Sequence, residues 1–252
     1  MSLGEVWGRV IIGGKEGEVA MGLSFLTEHQ EMVIFGLDLF GTAIFAITGA
    51  LRGFRRHLDF LGVCVLACAV GVGGGIMRDA TIGATPVAAF EDGRYLVICV
   101  LVASISFFVA PRLSVRWNVI PILDAVGLGV FTAIGCEKAA LYGCGRAATV
   151  LCGVMTAVGG GVIRDVLVMR IPAVLRSDFY ATAALLGGVV FVGLWKFVPS
   201  VDYLGRFWIV SALVVLIRLV AMRFKFHLPA SHSIPEAQRW HFRHPRRRLP
   251  KE

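Results

Sequence analysis

The chain has 252 residues, of which 57% are hydrophobic and 17% charged, with a net charge of +8 and a mean hydropathy of +0.77. Soluble domains average about 45–50% apolar and about 25% charged residues, and a domain of this length cannot bury so much additional apolar surface. The composition therefore excludes a cytosolic enzyme, a nucleic-acid-binding domain and a disordered chain, and it favours a polytopic membrane protein.

In chain order, residues 1–31 are mixed in character and predict an extension outside the membrane, without a signal peptide. Seven apolar segments follow, each near the roughly 20 residues that a helix needs to cross a bilayer. They cover residues 32–51, 58–78, 95–111, 118–137, 147–169, 179–198 and 205–223. Because backbone polar groups in lipid must be satisfied within the chain, we expect an all-α protein with seven transmembrane helices.

A basic tail follows the last segment. Residues 224–252 hold seven Lys or Arg and two Asp or Glu, and we expect them to contact anionic lipid headgroups rather than nucleic acid. The tail, Arg223 directly before it and the loops on its side together carry fifteen Lys and Arg, against eight on the opposite side. The positive-inside rule places the C-terminus in the cytoplasm and, with seven spans, the N-terminus outside.

An internal repeat becomes visible when the chain is shifted by 86 residues. The shift aligns Asp38 with Asp124 and, without a gap, the run from Gly73 to Asp79 with the run from Gly159 to Asp165. This predicts a three-helix repeat at 32–117, a second at 118–203, and a seventh helix at 204–223 outside the duplication. Three spans per repeat invert the second copy relative to the first, an arrangement typical of transport proteins.

Glycine triplets occupy the second and fifth segments. They are Gly73, Gly74 and Gly75 in the first repeat, and Gly159, Gly160 and Gly161 in the second. Three consecutive glycines weaken a helix, and a broken helix at membrane depth must line a cavity or be buried by protein. We therefore predict breaks within 71–75 and 157–161 that line a pathway, where freed carbonyls replace part of a cation's hydration shell. Close helix packing through small residues is the alternative.

Charged residues recur with the repeat. Arg78 and Asp79 follow the first triplet, and Arg164 and Asp165 follow the second. Charges at membrane depth are costly, so we expect each arginine to be ion-paired, in a structural or a permeation role.

Two further aspartates, Asp38 and Asp124, begin the first and fourth segments. There they either complement the positive end of a helix or face the pathway. If all six repeated charges face one cavity, their net charge of −2 favours cations.

Cofactor and catalytic signals are weak in this sequence. Most of the six cysteines lie in apolar runs, where cysteine acts as a small hydrophobe, and no further ligands complete a metal site around them. The sequence leaves open whether Cys136 pairs with Cys144. No nucleophile–base arrangement or phosphate-binding motif is evident, so we expect no enzyme activity and no cofactor.

The repeated motifs resemble a known family. GVGGGIMRD at 71–79 and AVGGGVIRD at 157–165, with LDLFGTAIFAITG at 37–49 and LDAVGLGVFTAIG at 123–135, are similar to bacterial trimeric intracellular cation (TRIC) channels. That family is also catalogued as a duplicated membrane domain of uncharacterised or glycine-transport function. The resemblance covers residues 32–223. It implies a homotrimer in the bacterial inner membrane, in which each protomer passes potassium and other monovalent cations along kinked second and fifth helices.

A secondary transporter of a small solute such as glycine is the alternative function. The N-terminal ends of broken helices would then hold a carboxylate group, assisted by Arg78 or Arg164. The inverted repeat favours neither reading over the other, and only the family resemblance favours the channel.

Overall fold

The computed structural model describes residues 18–113, 119–176 and 179–224. The predicted extension at 1–31 is described only from Glu18, where it is helical and continuous with the first apolar segment. The predicted tail lies outside the described residues from 225 onward.

Nine helices make up the described part of the chain. They are α1 (Glu18–Phe54), α2 (Phe60–Ile82), α3 (Ala88–Glu91), α4 (Arg94–Leu113), α5 (Val119–Leu141), α6 (Arg146–Leu167), α7 (Ala173–Arg176), α8 (Ala181–Phe197) and α9 (Tyr203–Phe224). By length and hydropathy, five can cross a membrane: α1 from Met32, α2, α5, α6 and α9. The apolar parts of α4 and α8 are shorter. The all-α class is therefore confirmed, while the count of seven spans stays a prediction.

Local signals determine the ends of α2, the predicted second span. Asp59 precedes the helix, and its carboxylate accepts a hydrogen bond of 2.7 Å from the backbone N–H of Gly62. Gly83 ends the helix with a φ of 73°, a left-handed conformation that glycine adopts without a steric penalty.

The glycine triplets do not interrupt their helices. Both α2 and α6, the predicted fifth span, are α-helical through the triplets, so the predicted breaks are wrong. The glycines serve close packing between the two helices instead. A Cβ on Gly160 would lie 2.6 Å from the carbonyl oxygen of Val70, and a Cβ on Gly74 would collide with the carbonyl oxygen of Thr156. Close backbone approach thus offsets the low helix propensity of glycine, about 1 kcal/mol per residue.

Reciprocal contacts relate the two repeats. Gly74 and Gly160 are 86 residues apart, and so are Val70 and Thr156, which they face. The rings of Phe45 and Phe131, also 86 residues apart, lie 5.1 Å from each other between their centroids. A two-fold relation between the repeats would produce such exchanged contacts.

Helix α9 has no counterpart in the duplication and packs on α5 and α8. Gly129 of α5 lies against Ser211 of α9, and the Ser211 hydroxyl donates a hydrogen bond of 3.2 Å to the Gly129 carbonyl oxygen. This close approach brings Arg206 and Arg218, two of the three arginines of α9, beside residues of the duplicated core.

Candidate functional site

The first charge cluster consists of Asp38, Arg78, Asp79 and Lys138, with buried carboxylates and a buried guanidinium. Arg78 Nε donates to Asp79 Oδ1 at 2.8 Å, and Arg78 Nη1 lies 3.4 Å from Asp38 Oδ1. Lys138 Nζ donates to the same Asp79 oxygen at 2.8 Å. The hydroxyl of Tyr95 donates to Asp38 Oδ2 at 2.8 Å. All the charges in this cluster therefore have partners of opposite sign.

The second charge cluster consists of Asp124, Arg164, Asp165 and Arg52. Arg164 Nη1 lies 2.5 Å from Asp124 Oδ1, and Arg164 Nε lies 3.1 Å from Asp165 Oδ1. The same Nη1 also donates to the hydroxyl of Thr48 at 3.2 Å. Arg52 is half-buried and interacts electrostatically with Asp165 and Arg164. The second cluster thus repeats the carboxylate–guanidinium core of the first.

The two clusters lie at different depths. Helix α1 contributes Asp38 to the first cluster and touches Arg164 of the second through Thr48. These positions are ten residues apart on one helix, which corresponds to roughly 15 Å along its axis. The structure therefore separates the six predicted charged residues into two sites.

The predicted charge balance of the duplicated core needs correction. Lys138 and Arg52, which were not among the predicted site residues, add a second cation to each cluster. The four carboxylates therefore face four cations, and the predicted net charge of −2 does not hold. A signal was present in the sequence, because Arg52 and Lys138 are also 86 residues apart.

The aspartate of each arginine–aspartate pair also holds a short helix. Asp79 Oδ2 accepts the backbone N–H of Ala88, the first residue of α3, at 3.1 Å. Asp165 Oδ2 accepts the N–H of Ala173, the first residue of α7, at 3.0 Å. These bonds fix each carboxylate, and with it the arginine, at the end of α2 or α6.

A cavity adjoins the first cluster. Its volume is ≈ 10 Å³, room for about one water molecule. Its lining combines Asp38, Thr42, Gly75 and Tyr95 with Arg78, Asp79 and several apolar residues, among them Val72 and Phe131.

Within each triplet, only the last glycine faces a charge cluster. A Cβ on Gly75 or on Gly161 would lie 3.7 Å from Nη2 of the arginine three residues later. The first two glycines of each triplet pack between helices. Gly73 lies against Ile163, and a Cβ on Gly159 would be 3.1 Å from the sulfur of Met77. The six predicted glycines therefore divide into four at a helix contact and two at the clusters.

Arg206 and Arg218 of α9 are not among the predicted site residues. Arg206 Nη2 lies 3.0 Å from Glu137 Oε1, beside Lys138 in sequence. The guanidinium of Arg218 lies 4.9 Å from the ring centre of Tyr180. Helix α9 lies outside the duplication, so neither contact has a counterpart in the other repeat. The spacing of 86 residues therefore could not indicate these two arginines.

Thiols and metal-binding groups complete the site description. All six cysteines are free thiols, so Cys136 and Cys144 are not bonded to each other. Across residues 18–113, 119–176 and 179–224, no group of three or more His, Cys, Asp or Glu side chains is placed to hold a metal ion.

Known proteins were compared with the chain as a whole. The model of a family described as "Glycine transporter" matches residues 35–111 and 121–196, two stretches that begin 86 residues apart. A UPF0126 membrane protein of Vibrio cholerae is 38% identical over 206 residues, which are 81% of this chain and 84% of that protein. The UPF0126 inner membrane protein YadS of Escherichia coli K12 is 39% identical over 200 residues, which are 79% of this chain and 96% of that protein.

Solved structures with the same fold are trimeric intracellular cation channels. The TRIC orthologue from Rhodobacter sphaeroides superposes with a TM-score of 0.73 at 38% identity, and the match covers 77% of this chain and 99% of that one. A prokaryotic TRIC channel solved in 0.5 M KCl has a TM-score of 0.72 at 31% identity, with 79% and 100% covered.

Proposed function

Since this chain belongs to the UPF0126 family of bacterial membrane proteins, which shares its fold with the bacterial TRIC channels, we propose that it is a passive, potassium-permeable channel for monovalent cations. The proposed assembly is a homotrimer with one pathway in each protomer. The pathway follows the faces of α2 and α6 that carry Gly75 and Gly161, and the two charge clusters flank it at two depths.

The cavity at the first charge cluster is the observation that carries this proposal. Asp38, Thr42, Gly75 and Tyr95 line a space the size of one water molecule, and apolar residues complete its lining. Carboxylate and hydroxyl oxygens beside such a space can replace part of the hydration shell of a small cation. Arg78 is held by Asp38 and Asp79, so its charge is neutralised locally instead of repelling a cation.

The duplication supports the proposed topology. Exchanged contacts such as those of Gly74 and Gly160 suit two repeats related by an axis in the membrane plane. In this arrangement the two clusters belong to opposite halves of the membrane, with the N-terminus outside and the basic tail in the cytoplasm. The second cluster then lies on the cytoplasmic side.

Secondary transport of glycine is the competing function, and the name of the matching family model is what suggests it. The cavity has room for about one water molecule, which is less than the space that a glycine zwitterion needs. Both arginines, which would bind its carboxylate, are already bonded to aspartates. The geometry therefore favours ion passage.

Reversal potentials of the purified protein in a planar bilayer test the proposal. Under a potassium chloride gradient, we expect currents whose reversal potential lies close to the potassium equilibrium potential, and sodium is expected to permeate as well. Concentrative uptake of labelled glycine by proteoliposomes, driven by a proton or sodium gradient and without single-channel currents, would establish the transporter instead.

Replacing Lys138 with glutamine is expected to raise cation-over-chloride selectivity severalfold. The change removes one positive charge from the first cluster, so the cluster becomes negative and attracts cations. The measurement is the reversal potential under a potassium chloride gradient, with Lys196→Gln as the control, because Lys196 is exposed and lies beside Phe197. Unchanged or lower selectivity in the Lys138 variant would show that the first cluster does not lie on the pathway.

A further inference from the structure

Two equivalent tyrosines adopt different positions in the two repeats. Tyr95 follows Ala88, the first residue of α3, by seven residues, and Tyr180 follows Ala173, the first residue of α7, by the same number. Both alanines are held by the aspartate that ends the repeated motif. Ala88 follows Asp79 by nine residues, whereas Ala173 follows Asp165 by eight. Because of this one-residue difference, a constant shift of 86 does not align the two tyrosines.

We propose that Tyr180 is the barrier residue of the second half of the pathway, where it occupies the space beside Gly161 that is a cavity beside Gly75 in the first half. The inference rests on the proposed ion pathway and names the side chain that limits it. Two observations support it: the position of the tyrosine hydroxyl against Gly161 and the contact of its ring with α9.

In the first repeat, the tyrosine is drawn aside. The Tyr95 hydroxyl donates to Asp38 Oδ2 at 2.8 Å, and its ring makes an edge contact with Phe35 at 5.6 Å between centroids. The nearest described atom to a Cβ on Gly75 is Nη2 of Arg78, at 3.7 Å. The space beside Gly75 therefore stays open and belongs to the cavity.

In the second repeat, the tyrosine fills the corresponding space. Tyr180 is only 1% exposed, and a Cβ on Gly161 would lie 2.6 Å from its hydroxyl oxygen. Only a glycine at position 161 leaves room for the hydroxyl there. A side chain at this point blocks the face of α6 that matches the cavity-lining face of α2.

The Tyr180 hydroxyl also interacts with the carboxylate of Asp124. Asp124 corresponds to Asp38, which accepts a hydrogen bond from the Tyr95 hydroxyl in the first repeat. Each tyrosine is thus associated with the aspartate of its own repeat, but only Tyr180 lies against the last glycine of its triplet.

Helix α9 explains why only the second tyrosine occupies this position. The Arg218 guanidinium lies 4.9 Å from the Tyr180 ring centre, a distance that suits a cation–π contact. Arg218 is 7% exposed, so its charge acts in a region with little water. The contact holds the ring of Tyr180 in this position.

Single-channel recording of Tyr180→Ala in planar bilayers, with Phe90→Ala as the control, tests this role. We expect a severalfold increase in unitary conductance or open probability for Tyr180→Ala, because the steric barrier is removed. We expect no increase for Phe90→Ala, since Phe90 is 74% exposed and its ring lies outside the cavity lining and the charge clusters. Tyr180→Phe keeps the ring over Arg218 and is expected to lie between wild type and Tyr180→Ala.

The outcomes separate the barrier from the function. If the wild type conducts cations and a folded Tyr180→Ala variant conducts no better, Tyr180 is not the barrier, although the channel stands. If neither the wild type nor any variant passes cations, the channel and the barrier are both overturned. If Tyr180→Ala does not fold, Tyr180→Phe and Arg218→Gln test the barrier instead. Each variant weakens the barrier and should raise conductance or open probability, and no rise in either would show that Tyr180 is not the barrier.

Discussion

Replacing Arg164 with alanine is expected to destabilise the protein by about 3–5 kcal/mol, because it leaves two buried carboxylates without their shared cation. Asp124 and Asp165 both bond to Arg164, and all three residues are almost fully buried. The free energy of unfolding, measured by titration with SDS in mixed micelles, checks this expectation. Removing Asp124 as well should recover part of the loss, since one uncompensated charge is then absent.

The exposed pair of Arg94 and Asp92 is the matched control. Hydrogen bonds from Arg94 lower the pKa of Asp92, but the Arg94 side chain is 70% exposed, and water screens the pair. Arg94→Ala should therefore cost far less stability than Arg164→Ala. Similar losses in the two variants would show that burial of the second cluster is not what makes its ion pairs important.

Substituting Gly74 with alanine is expected to cost about 1–3 kcal/mol, and valine at this position should prevent stable folding. The added Cβ meets the carbonyl oxygen of Thr156, and a backbone atom cannot rotate away as a side chain can. Gly160→Ala should behave similarly, because its Cβ would lie 2.6 Å from the Val70 carbonyl oxygen. The apparent melting temperature in detergent, followed by the loss of the folded species on size-exclusion chromatography, measures the effect.

Gly193 of α8 is the control for these glycines. No described atom lies within 4 Å of a Cβ at this position, so Gly193→Ala should be neutral or stabilising by up to about 1 kcal/mol. If Gly74→Ala is tolerated as well as Gly193→Ala, the close crossing of α2 and α6 is not what requires the glycine triplet.

Repetition made several features of this protein readable from sequence. Buried charges and glycines at a constant spacing of 86 residues indicated a duplicated, all-helical membrane protein and marked Arg78 and Arg164 as residues that need partners. The repetition also led to a wrong prediction. Glycine triplets lower helix propensity, but propensity is a small local term, and the close approach of α2 and α6 outweighs it.

Hydropathy and repetition are properties of the chain alone, so they sufficed to indicate the helical class, the duplication and the chemical types gathered at the ends of α2 and α6. Which charges meet, in contrast, follows only from the packing of the helices. Lys138 comes to Asp79 and Arg52 comes near Asp165 from the opposite repeat, across 59 residues in the first case. The packing also decided that Arg218 of the unrepeated helix holds one of two equivalent tyrosines. Such contacts depend on how helices distant in sequence pack, and no local pattern along the chain encodes that packing.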